Sequence, residues 1–132
     1  MAHRSMVVSN DESCPYQIII VEDERAMADM LMRTIRRQVP RIAVQTFVTG
    51  QAALTAYDQV GADLLVVNYG LPDMVGSALI RRLRARGDPV PVIGISGDPG
   101  NEAEHLAAGA DVFLSGRDVL HQMVLLLRHF LP

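Results

Sequence analysis

From Tyr16 onward the chain alternates between short apolar runs and longer stretches with a helical repeat. Five runs predict strands, at about 17–22, 42–47, 63–68, 91–96 and 111–115. Four of them, such as Ile18-Ile19-Ile20-Val21 and Leu64-Leu65-Val66-Val67, are apolar nearly throughout. That pattern suits strands covered on both faces of a parallel sheet. The second run, Ile42 to Phe47, alternates instead and reads as an edge strand. Crossover helices are predicted at about 25–38, 50–60, 76–86 and 100–108, and a last helix from about 117 to 130.

Local signals mark the limits of these elements. Asp98-Pro99 reads as an N-cap followed by proline at the first helical position. Gly87 and Gly109 fall where helices stop and a left-handed residue is needed. Ser115 and Asp118 have the spacing of a capping box that opens the last helix. Met27, Leu31, Thr34, Ile35 and Gln38 share one face of the first helix; Leu120, Met123, Val124, Leu127 and Leu131 share one face of the last. At about 100° per residue, Val119, Leu126 and Phe130 fall on a flank beside that last stripe, and Leu125 lies on the far side.

Five strands joined by helices predict a doubly wound α/β fold, a five-stranded parallel sheet in the order 2-1-3-4-5 with five helices, because such crossovers are nearly always right-handed. That order places a topological switch between the first and third strands, and ligands bind outside the carboxyl ends of the strands there. Glu22 and Asp23 close the first strand, Asn68 the third and Ser96 the fourth, so all converge on one crevice.

Composition narrows the classes of function. At 132 residues the chain is one domain, large enough to bury a core without disulfides or structural metals. Residues 1–15 are polar, end in Pro15 and read as a flexible N-terminal arm, which leaves 16–132 as the folded domain. A formal net charge of -3 argues against a nucleic-acid or anionic-membrane partner, since those need a dominant positive field. Cys14 is the single cysteine, so no internal disulfide forms, which fits a reducing, cytoplasmic setting. No apolar run approaches the roughly eighteen residues that span a bilayer, and Met6-Val7-Val8 is too short for the core of a signal peptide. All 12 basic side chains are arginine, and the chain has no lysine. His3, His105, His121 and His129 are scattered and read as surface residues, and the arginines at 81, 82, 84 and 86 as a solvated helix face.

The motif Ile20-Val21-Glu22-Asp23-Glu24, the run from Asp63 through Leu71-Pro72-Asp73-Met74-Val75-Gly76, the segment Pro91 to Gly97, and Gly109-Ala110-Asp111 before Phe113 resemble the receiver domains of two-component response regulators. The resemblance covers about residues 16–132 and implies a CheY-like, flavodoxin-like receiver fold that acts in phosphorelay signal transduction. It also implies roles for single positions. The family's phosphoacceptor aspartate falls on Asn68, and its lysine falls on Gly116. Ser96 and Phe113 take the switch positions, and Glu22 and Asp23 the metal-binding acidic pair.

Those two replacements bear on chemistry. Phosphoryl transfer to a carboxylate needs a nucleophile, a divalent ion and cations that hold the equatorial oxygens. An amide oxygen is a poor nucleophile because its lone pair is tied into resonance, and it carries no negative charge for the metal. Glu22 and Asp23, helped by the Asn68 carbonyl and a backbone carbonyl near Gly70, would hold a hydrated Mg²⁺ only weakly. The losses also make sense as a pair, since an ammonium buried without its anion is costly. The resemblance therefore implies a pseudo-receiver, not an enzyme, with no catalytic residue and no required cofactor, that works as an interaction module. Its expected partner is a signalling protein, or a second copy held through the last helix at Val119, Leu125, Leu126 and Phe130. Two rival readings remain: a phosphoacceptor domain whose aspartate was replaced or that uses another acceptor, and a small-ligand binder at the same crevice.

Overall fold

A computed structural model of the chain describes residues 16–116 and 119–131. The N-terminal arm and the Asp118 half of the expected capping box, with Arg117 beside it, lie outside the described residues. Strands β1 (Tyr16–Val21), β2 (Ile42–Phe47), β3 (Leu64–Asn68), β4 (Val92–Ser96) and β5 (Val112–Ser115) alternate with helices α1 (Arg25–Gln38), α2 (Gly50–Val60), α3 (Gly76–Ala85), α4 (Glu102–Ala108) and α5 (Val119–Phe130). The sheet order is β2-β1-β3-β4-β5, with every pairing parallel. This is the doubly wound arrangement expected from the alternation of apolar runs and helical periods.

Alternate residues of the central strands feed two cores. Ile18, Ile20, Leu64, Val66, Ile93 and Ile95 pack with Leu31 and Ile35 of α1 and Val119, Met123 and Leu127 of α5. Ile19, Val21, Leu65, Val67 and Val92 pack on the opposite face with Ala53 of α2 and Leu79, Ile80 and Leu83 of α3. Burial on both faces is why these strands have no polar alternation. β2 keeps Gln45 and Thr46 exposed, as an edge strand should.

Several local expectations change in the folded chain. Asp98 does cap a helical start, its Oδ1 accepting the Gly100 N–H at 2.8 Å, but Pro99–Asn101 forms a 3₁₀ turn before α4 begins. The buried stripe of α1 runs through Ala28, Leu31 and Ile35, and Gln38 is exposed. Val119, on the flank of the stripe, is buried in the core with it. Leu126 and Phe130 are half-buried against the same core, and only Leu125, 54% exposed, faces outward. The apolar face of α5 is wider than a narrow stripe because one side of the helix lies against the sheet and α1 together.

Arg84 departs furthest from the solvated face expected of the arginine run. Its Nε donates to the Gly109 carbonyl at 3.0 Å, and its Nη1 donates to the Asp88 and Val90 carbonyls, each at 2.8 Å. Its Nη2 pairs with Asp111 Oδ2 at 3.2 Å, and that oxygen also accepts the Val92 N–H at 2.8 Å. One guanidinium thus joins the end of α3, the entry to β4 and the turn after α4. Arg84→Met keeps the aliphatic stem and strands those carbonyls. It should lower stability by about 2 kcal/mol, read as a reduced midpoint in urea unfolding.

Candidate functional site

The register of the sheet brings the polar strand ends together. Val21 lies beside Val67, and Asn68 lies beside Ile95, so Glu22, Asp23, Asn68 and Ser96 emerge along one edge. Gly76 lets α3 start directly against that edge, because a Cβ there would overlap the Asn68 carbonyl oxygen. The Asn68 side chain donates from Nδ2 to Asp23 Oδ1 at 3.3 Å and to the Gly70 carbonyl at 2.9 Å. Two acceptors on one side fix the amide's orientation, since its oxygen placed there would face two oxygens. Glu22 is buried, and its Oε2 accepts the Glu24 N–H at 3.1 Å. Burial pushes the Glu22 carboxyl up to about 7, reinforced by the neighbouring Asp23 and opposed by the Glu24 N–H.

Ser96 is committed to its own loop. Its Oγ accepts the Asp98 N–H at 3.0 Å and the Asn101 Nδ2 hydrogen at 2.9 Å. Gly116 sits at φ +74 with open space where a Cβ would be. Between these groups runs a cleft of about 80 Å³, lined by Glu22, Met27, Asn68, Ile95, Ser96 and Gly116. Asp73, in the loop after β3, has a defined task. Its two carboxylate oxygens accept the Gly50 and Gln51 N–H groups, each at 2.9 Å, fastening the loop after β3 to the start of α2. Those bonds hold its carboxyl below the usual range.

The carboxylates that line the crevice are Glu22, Asp23 and Glu24. Among the described residues no cluster of three or more His, Cys, Asp or Glu side chains could hold a metal. A hard cation needs several convergent oxygens. Here Asn68 turns its N–H side, not its oxygen, toward Asp23 and the Gly70 carbonyl.

The chain belongs to the response regulator receiver domain family, whose pattern matches residues 18–124. It is similar to the sensory transduction protein RegX3 of Mycobacterium tuberculosis, 33% identical over 117 residues, covering 84% of this chain and 50% of that protein. The chain therefore spans about half the length of the curated relatives it matches. The receiver domain of the Francisella response regulator 1452 superposes with a TM-score of 0.78 at 20% identity, over 87% of this chain and 95% of that one. A response regulator from Chloroflexus aurantiacus superposes at 0.79 with 23% identity, over 88% and 97% of the two chains. Among the described residues no helix is long and apolar enough to cross a membrane.

A second cluster adjoins the crevice, and sequence reasoning missed it. Tyr69, the residue after Asn68, donates from its hydroxyl to Glu104 Oε1 at 3.0 Å, while Ser77 Oγ donates to Glu104 Oε2 at 2.5 Å. These two bonds hold the Glu104 carboxyl below its usual range. The adjacent His105, expected on the surface, is fully buried. Its ring lies edge-on to Tyr69 at 5.6 Å and tilted against Phe113 at 5.5 Å. It occupies space left by Gly94, where a Cβ would come within 2.9 Å of the imidazole. Neither ring nitrogen has a hydrogen-bond partner, so the neutral form is favoured. Burial lowers its pKa from 6.5, partly offset by a backbone contact at Ile95 and the charge of Glu104. The unfolded chain therefore takes up this proton first, and the contribution of His105 to stability, full above 6.5, is lost as pH falls below that value. His105→Phe keeps the ring packing and removes the proton. The stability difference between the two proteins should shift in favour of the variant by up to about 1.4 kcal/mol per pH unit between about pH 6.5 and pH 5, measured by urea unfolding. The other three histidines are the same in both proteins.

Proposed function

We propose that this chain is a pseudo-receiver, a module of two-component signalling that works through protein contacts and takes up no phosphate. The carrying observation is the side chain at the end of β3: a neutral amide, bonded through its nitrogen to Asp23 and the Gly70 carbonyl. In-line transfer to this position needs an anionic oxygen aimed at phosphorus, and cations around the transferred group. Asn68 supplies no such anion, Gly116 supplies no cation, and the chain contains no lysine to act from elsewhere. The nearby oxygen groups are committed to other work. Asp73 is held by two backbone N–H groups, and Ser96 accepts two bonds from the loop that follows it.

Function then lies in binding. The partner is a signalling protein, and the domain either stays in one conformation or is switched by that partner's binding. Self-association through α5 has little to rest on, because Val119 is buried and Leu125 alone of the four candidate residues is largely exposed. Light scattering should return the mass of a single chain, with or without Mg²⁺; a dimer mass would restore the last helix as an interface between copies.

The direct test is incubation with acetyl phosphate and Mg²⁺, followed by intact-mass measurement. The wild-type chain should gain no phosphoryl group. Asn68→Asp should gain one slowly, since the carboxylate returns while the ammonium does not. A wild-type adduct on a carboxylate would overturn the proposal, and fast labelling of Asn68→Asp would show that Asn68 alone accounts for the loss.

A further inference from the structure

We propose that the Asn68 amide occupies, with its N–H groups, the place a divalent cation would take, so that the crevice is complete without metal and closed to it. The inference rests on the pseudo-receiver reading and deepens it, by saying what the replaced residue does instead.

The geometry is specific. A primary amide has two N–H hydrogens, and the two acceptors around Nδ2 are Asp23 Oδ1 at 3.3 Å and the Gly70 carbonyl at 2.9 Å. These oxygens come from the residue pair after β1 and from the loop after β3, so a single donor bridges the ends of two paired strands. A bound cation ties oxygens in the same way, by drawing several to one positive centre. Here the positive end of the amide dipole does that work with groups the chain already owns. For a cation to draw in the Gly70 carbonyl, Asp23 Oδ1 and the Asn68 oxygen together, both bonds must break and the amide must turn over. What the cation gains is contact with a neutral oxygen in place of a carboxylate.

A carboxylate at position 68 reverses each of these terms. It has no hydrogen to donate, and it places a negative charge beside Asp23 and the Gly70 carbonyl. Such an arrangement is strained by repulsion until a cation arrives. The residue at 68 therefore sets the metal requirement of the fold as well as its capacity for chemistry. Glu24 and Asp23 stay exposed at the mouth, so the wider cleft of about 270 Å³ remains open to solvent and access is no barrier.

Thermal unfolding of the wild type, Asn68→Asp and Asn68→Ala, with Mg²⁺ or Mn²⁺ up to about 10 mM at constant ionic strength, tests the inference. The wild-type midpoint should not move with either cation. Asn68→Asp should start lower and rise by several degrees as cation is added. Asn68→Ala should start lower and stay there. Calorimetric titration of Mn²⁺ into the wild type alone gives a reading that does not depend on the variants folding, and no saturable heat is expected. A saturable heat, or a wild-type midpoint that rises as far as that of Asn68→Asp, overturns the inference. Cation binding without a phosphoryl adduct would overturn this inference and leave the pseudo-receiver reading standing. A phosphoryl adduct on the wild type would overturn both.

Discussion

A parallel sheet covered on both faces leaves polar residues only one place to gather, which is the ends of its strands. In this chain the constraint is nearly complete, since β1, β3 and β4 are buried almost along their whole length. The polar groups that follow them, Glu22, Asp23, Asn68 and Ser96, are therefore delivered to one edge by the same register that buries Ile19, Leu65 and Val92. Once gathered there, each group must find a partner or remain in water. The pattern of hydrogen bonds at the edge is the solution this sequence adopts, and it is a solution built from the chain itself.

That logic explains which features could be read in the sequence. Strand positions, their order and the convergence of the crevice follow from apolar runs and the right-handed crossover, both local or topological signals. The ends of α3 and α4 follow from Gly87 and Gly109, which adopt φ +77 and φ +115. Features that depend on one side chain meeting another far away in sequence were not legible. Arg84 looks like its exposed neighbours Arg81 and Arg82 until the turn at Gly109 comes back to meet it. His105 lies among alanines on a helix of 7 residues, too short for its periodicity to reveal a buried face. Gly94, the residue that makes room for it, lies on β4 and reads only as a weak point in an apolar run. For Val119 a wide buried face and a partner face stood equally open, because an apolar arc as wide as that of α5 has no unambiguous centre on a helical wheel.

The two clusters at the carboxyl edge share a backbone segment. Asn68 and Tyr69 are consecutive, yet one binds toward β1 and the other toward α4. Tyr69 and Ser77 hold Glu104 from two sides, and Gly76 and Tyr69 are joined by a backbone bond of 2.5 Å. The start of α3, the end of β3 and α4 are therefore fastened at one point. On the far side of α4, Asn101 holds Ser96, and His105 fills the volume between Tyr69 and Phe113. Repositioning α4 would have to break the Glu104 bonds and open a space around a buried ring.

A protein that switches needs two arrangements close in free energy and a ligand that distinguishes them. In this chain the groups that could have been left waiting for a ligand are instead satisfied internally: Asp23 by an amide, Ser96 by its loop, Glu104 by two hydroxyls. On the proposed reading, each bond removes part of the difference that an incoming phosphate or cation would exploit. The exception is His105, whose two nitrogens are buried without partners. A group in that condition stores a cost rather than relieving one, and here the cost is held by ring packing against Tyr69 and Phe113. The imidazole thus joins the Glu22 carboxyl, pushed up to about 7 by burial, as a described polar side chain whose environment disfavours its charged form. The Glu22 carboxyl lies in the crevice, whereas His105 lies under α4 against Phe113 of β5, so the sensitivity of the fold is divided between two places.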